Sequence, residues 1–177
     1  MQKLRFYSTL SILFICISSF QQPKPKEKLQ WISLEEAEQK MKEEPRPLLI
    51  DLYTNWCGWC KVMDRKTYTN QELIQYLNTN FYTVKLNAET KADVKWNGKI
   101  YKFNPSYKTN DIAIALTNGQ LSYPTTVIIP SINDDPQPIA GMLEVNEMEL
   151  VAKYFAEKKY GTVSFDSYAK NFKPVWK

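Results

Sequence analysis

Leu48-Leu49-Ile50-Asp51-Leu52-Tyr53-Thr54-Asn55-Trp56-Cys57-Gly58-Trp59-Cys60-Lys61 joins two different patterns. Leu48 to Tyr53 is a short apolar run, the pattern of a strand covered on both faces. Lys61 onward reads as a helix, so the two cysteines fall at a strand-to-helix junction. A helix N-terminus offers unpaired backbone N–H groups and the positive end of the helix dipole, so a thiolate placed there is stabilised. The second cysteine, one turn further along, can reach back to the first sulfur. The spacing therefore predicts Cys57 as the attacking thiolate and Cys60 as the resolving thiol.

The same two residues admit blander readings, a structural disulfide or a soft-metal thiolate site. A loop this short adds little closure entropy, so a staple here would stabilise weakly. Zinc sites ordinarily take four Cys or His ligands. The chain has no histidine and no second cysteine pair, so no metal and no other cofactor is expected.

Around this stretch, 177 residues with 44% hydrophobic and 24% charged composition fit one globular domain. Residues 1–20 carry Lys3 and Arg5, then a run from Leu10 to Ile17 that is apolar but for Ser11, and Ser18-Ser19, the layout of an export signal. The run is short for a membrane span. Cleavage would remove Cys16 and leave Cys57 and Cys60 as the only thiols, placed for chemistry rather than for a disulfide scaffold. Loss of Lys3 and Arg5 takes the formal charge from +4 to +2, too little to point to nucleic acid. Residues 21–30 (QQPKPKEKLQ) read as a disordered tether, and 31–177 as the domain, with 161–177 a C-terminal extension.

Along the domain, a helix is expected from Trp31, with Ser33 and Glu36 as a capping box. A second capping box is expected at Thr69 to Glu72, followed by a strand over Phe81 to Asn87. Asn97-Gly98 between two alternating runs predicts a β-hairpin within an insertion near 90–108. A short helix capped at Asn110, a strand entered through Pro124, an edge strand over Gln137 to Met142 and a helix over Val145 to Tyr160 complete the pattern. Asp51 breaks the apolar strand. A buried carboxylate is costly unless paired, and Lys85 is its candidate partner.

Taken together, these features resemble the thioredoxin-like family over roughly residues 31–160. Asp51 lies six residues before Cys57, Trp56 precedes the first cysteine and Lys61 follows the second. Val84-Lys85-Leu86-Asn87 resembles the strand with the family's buried lysine, and Tyr123-Pro124-Thr125 its cis-proline loop. The Trp-Cys-Gly-Trp-Cys-Lys-x-Met form looks most like the exported bacterial members. The resemblance implies an α/β thioredoxin fold, a central mixed sheet flanked by helices. It also implies disulfide exchange with protein or peptide substrates and a separate redox partner, in the bacterial periplasm or cell envelope. Cys57 would attack, Cys60 resolve, Asp51 move the Cys60 proton with Lys85 tuning it, and Trp56, Trp59, Tyr123 and Pro124 would contact substrate. Trp59 stands where thioredoxins carry proline, which leaves the direction of electron transfer open. The competing function is a redox-inert module that uses the same groove to bind a peptide or partner.

Overall fold

The computed structural model describes residues 26–176, so the expected export signal lies outside the described residues. Leu48–Tyr53 forms β2, and its even and odd residues face opposite sides of a five-stranded sheet. To one side of β2 lies β3 (Tyr82–Asn87), parallel to it, and beyond that the two-residue β1 (Trp31–Ile32), also parallel. On the other side run β8 (Thr125–Ile129) and the edge strand β9 (Gln137–Ala140), both antiparallel to their neighbours. The resulting order β1-β3-β2-β8-β9 is the expected mixed sheet.

Helices cover both faces because the strand pleat divides the apolar residues into two sets. Leu48, Ile50 and Leu52, with Val84, Leu86, Val127 and Ile129, pack against α1 (Leu34–Glu43) and α4 (Asp111–Leu116). Leu49 and Ile128 face α2 (Gly58–Lys66), α3 (Gln71–Asn80) and α5 (Val145–Ala156) through Met63, Leu73, Leu77, Met148 and Val151. Each fully buried Leu or Ile contributes about 2 kcal/mol of apolar transfer free energy. The second layer is interrupted where Asp51 occupies the position that would continue Leu49.

Local chemistry sets the element ends. Ser33 accepts the Glu36 N–H at 3.1 Å and starts α1, so Trp31 and Ile32, expected in that helix, are free to pair with β3. The cap of α3 is Asn70, which accepts the Leu73 N–H at 2.8 Å. Thr69, expected as part of that cap, instead donates to the Arg65 carbonyl at the end of α2. α5 stops at Ala156 rather than Tyr160, because Lys158 turns into the left-handed region at φ 56° before Gly161 is reached.

The insertion contains the expected hairpin, β4 (Val94–Trp96) and β5 (Lys99–Tyr101), with Asn97 and Gly98 both at positive φ. A second small pair, β6 (Phe103–Asn104) and β7 (Thr109–Asn110), follows it. Residues 26–30, read from composition as tether, run extended along α3: the Glu27 N–H donates to Gln71 and the Gln30 N–H to Asn78, each at 3.0 Å. Residues 162–176 fold back as α6 (Phe165–Asn171) and an extended stretch, with Tyr168 and Trp176 against the second core layer.

Candidate active site

α2 begins where β2 ends, and its N-cap is Cys57 itself. The Cys57 sulfur accepts the Cys60 N–H at 3.0 Å and is joined to Cys60 in a disulfide with Cα atoms 5.4 Å apart. No acidic residue lies in the first turn of α2, so nothing there opposes a thiolate at the helix's positive end. On reduction, the Cys57 sulfur would hold a backbone donor and the dipole together. Both favour the thiolate over the thiol.

Both sulfur-bearing residues are recessed, Cys57 at 4% and Cys60 at 3% exposure, between two projecting indoles, Trp56 at 67% and Trp59 at 65%. Trp56 is oriented by two contacts. Its indole N–H donates to Glu89 at 3.0 Å, and its ring meets Tyr123 edge to face at 5.9 Å. Tyr123 leads into Pro124 through a cis peptide bond. Trp59, Tyr123 and Pro124 together line an open groove of about 450 Å³, with Gly141 and Met142 also on its wall. The Gly141 N–H donates to the Pro124 carbonyl at 2.9 Å and ties the end of β9 to this loop.

Beneath α2, one row crosses three strands. Asp51 of β2 is in register with Lys85 of β3 on one side and Thr126 of β8 on the other. The Lys85 ammonium donates to Asp51 Oδ2 at 2.8 Å and also contacts Asp64 Oδ1 of α2. The rings of Trp31, Tyr53 and Tyr68 stand 5.1–5.6 Å from the ammonium, within cation–π range. Asp51 Oδ1, Thr54 Oγ1, Tyr68 Oη and Thr126 Oγ1 are buried and have no hydrogen-bond partner among the described residues. Burial pushes the Asp51 carboxyl above its ordinary value. The adjacent Lys85 opposes this without cancelling it, and Asp64 adds to it. For Lys85 the balance reverses. Burial disfavours its charge, but Asp51 and Asp64 outweigh it and raise the ammonium pKa. Burial, followed by the neighbouring Asp51 charge, holds the Tyr68 hydroxyl well above the usual phenol range.

The residues singled out in the sequence thus form two groups, the recessed Cys57 and Cys60 with Trp56, Trp59, Tyr123 and Pro124 around them, and a row of the buried Asp51 and the partly buried Lys85. Asp64 links the row to α2. It lies four residues after Cys60 on the same helix face, a spacing that could have flagged it, although nothing in the sequence showed that Lys85 would reach it. Tyr68 and Glu89 carried no signal of their own. Among the described residues, no group of three or more His, Cys, Asp or Glu could hold a metal ion. Nor is any helix there long and apolar enough to cross a membrane.

A mixed sheet with helices on both faces, and a bonded cysteine pair capping the helix after β2, define a thioredoxin-fold protein whose site is consistent with thiol–disulfide chemistry. The chain belongs to the Thioredox_DsbH family, described as a protein of unknown function, DUF255, which matches residues 13–177. It is 30% identical over 110 residues to a thioredoxin of Borreliella burgdorferi, covering 62% of this chain and 74% of that one. It is also 27% identical over 107 residues to uncharacterized protein B0495.5 of Caenorhabditis elegans. That match covers 60% of this chain but spans only 13% of the nematode protein's length. A solved structure named DsbH Oxidoreductase shares the fold, with TM-score 0.57 over 78% of this chain and 92% of that one at 17% identity.

Proposed function

We propose that this protein is an exported thiol–disulfide oxidoreductase that exchanges disulfides with protein substrates through Cys57 and Cys60. The observation that carries this reading is the cysteine pair itself, with one sulfur at the helix N-cap accepting a backbone N–H and the other within bonding reach. In the reducing direction, the Cys57 thiolate attacks a substrate disulfide. One substrate sulfur leaves with the electron pair of the broken bond and takes up a proton, and a mixed disulfide remains. Cys60 then loses its proton, attacks the Cys57 sulfur and releases the second substrate thiol, leaving the Cys57–Cys60 disulfide. A separate dithiol partner supplies two electrons to restart the cycle. In the oxidising direction every step reverses.

Asp51 is the proton acceptor in this scheme. A carboxyl raised by burial is a better base than an exposed one, and Lys85, itself bonded to Asp64, holds it in place. Trp56, Trp59, Tyr123 and Pro124 offer an extended substrate segment a surface beside the recessed sulfurs. The charged start and apolar run of residues 1–20 support export, to the bacterial periplasm or envelope. The relative named DsbH Oxidoreductase carries the same chemistry in its name.

Trapping tests the assignment. Cys60→Ser accumulates mixed disulfides with protein substrates, detected as shifted bands on non-reducing gels, and Cys57→Ser does not. Equal trapping by both variants removes the division of roles. Absence of trapping by either favours the redox-inert binding module.

A further inference from the structure

The groove beside Cys57 does not end at Met142. A second depression of about 320 Å³ shares Met142 and Glu144 with it and continues between Lys66 of α2, Val145 and Asn146 at the start of α5, and Trp176. Trp176 comes from the chain's last described residues, and it is held from several directions. The wholly buried Glu149 carboxylate accepts the backbone N–H groups of Val175 and Trp176, each at 2.8 Å, and the Lys153 ammonium at 2.6 Å. The indole packs on Tyr76 at 5.2 Å, and Lys153 lies 5.3 Å from its ring centre. A buried carboxylate is costly unless fully bonded. Here two of its three donors are the successive peptides that set the position of Trp176.

Met142, Val145 and the indole supply the apolar part of this lining, which Lys66, Thr67, Glu144 and Asn146 complete with polar groups. Glu144 is occupied in capping α5, where its own N–H donates to the Glu147 carboxylate at 2.8 Å. On the wall of the first groove, a Cβ at Gly141 would meet no atom within 4 Å, so the space beside it is open.

We infer that Trp176 and the start of α5 form a second subsite of the substrate groove, which takes a large apolar side chain of the same polypeptide whose cysteine meets Cys57. This rests on the oxidoreductase reading and deepens it. The occupant follows from continuity, because the two depressions share Met142 and Glu144, so a chain lying in the groove beside Trp59 can extend into this compartment. Its chemistry follows from the lining, which suits an aromatic or long aliphatic side chain.

The test uses the Cys60→Ser protein and short glycine-rich synthetic peptides, each with one cysteine activated as a mixed disulfide with thionitrobenzoate. Attack by Cys57 on the peptide sulfur breaks that bond, and thionitrobenzoate leaves with the electron pair and is read by its absorbance. A single phenylalanine is walked along the peptide on either side of the cysteine. At one register, release should be about tenfold faster than for the all-glycine peptide. That preference should collapse to a ratio of about one in Trp176→Ala. Asn146→Trp, at an exposed position, fills the compartment without touching the core and should remove the same preference even if Trp176→Ala fails to fold. Release with no register preference, or a preference that survives Asn146→Trp, overturns the subsite while leaving the oxidoreductase reading intact. No release from any peptide overturns both.

Discussion

Asp51 shows how a single side chain can cost stability while serving chemistry. It lies on a strand otherwise committed to the core, bonded to Lys85 through one oxygen and, among the described residues, without a partner at the other. Because its pKa is raised in the folded state, the charged form is held at a cost. The cost is absent below the ordinary carboxylate range, grows as pH rises through the raised value and is fully present above it. Asp51→Asn should therefore be more stable than the parent at neutral and alkaline pH, with the advantage fading on acidification. Thermal unfolding of the two proteins across pH checks this, and a parent more stable than the variant at neutral pH would contradict it. The same variant should slow resolution of the mixed disulfide by about 10²-fold or more, the usual contribution of a positioned base, while first attack by Cys57 changes less. Stopped-flow thiol assays separate the two steps. That Asp51 was anomalous could be read from its place in an apolar strand. That Asp64 would share its lysine could not, because the contact joins residues 21 positions apart through side-chain reach alone.

The hairpin β4–β5 is organised by its turn. Asn97 and Gly98 both adopt positive φ, the geometry that lets a two-residue turn match the twist of its strands. The hairpin is also part of the core. Val94 and Trp96 are buried with the α1 layer, and the Asn97 N–H donates to Glu38 of α1 at 2.9 Å. A Cβ at Gly98 would meet nothing within 4 Å, so the penalty of a side chain there is conformational and not steric. Gly98→Ala should cost about 1 kcal/mol, measured as a shift in the denaturant midpoint at constant slope. A change in slope, or no change at all, would show that the turn is not what holds the hairpin. The hairpin was legible because Asn-Gly between alternating residues is a local signal. Its docking on α1 was not, since it depends on where a helix some 60 residues earlier presents Glu35 and Glu38.

Across the molecule, the C-terminal segment is fastened by a charge. Glu149 is 0% exposed and is bonded to Lys153 and to two backbone N–H groups of the tail. Removing one partner of a buried, bonded charge leaves the others unsatisfied and typically costs about 3–5 kcal/mol. Glu149→Ala should therefore lower stability by about 3 kcal/mol and free the stretch around Trp176. Chemical denaturation checks the first effect, and faster amide exchange at Val175 and Trp176 the second. A full loss of stability with unchanged exchange at those amides would mean that other contacts fasten the tail.

What could be read in the chain alone is what depends on near neighbours. The apolar run of β2, the cysteine pair at a helix start, the caps at Ser33 and Asn110 and the Asn-Gly turn are all set by spacings of a few residues. Backbone sterics and hydrogen bonding act over that range. The course of residues 26–30 along α3, the two-residue β1, the early stop of α5, the recessed sulfurs between exposed indoles and the Glu149 fastening depend on packing. Each needs a partner brought from far along the chain or a backbone angle chosen by that packing, and neither is encoded in any short window of residues.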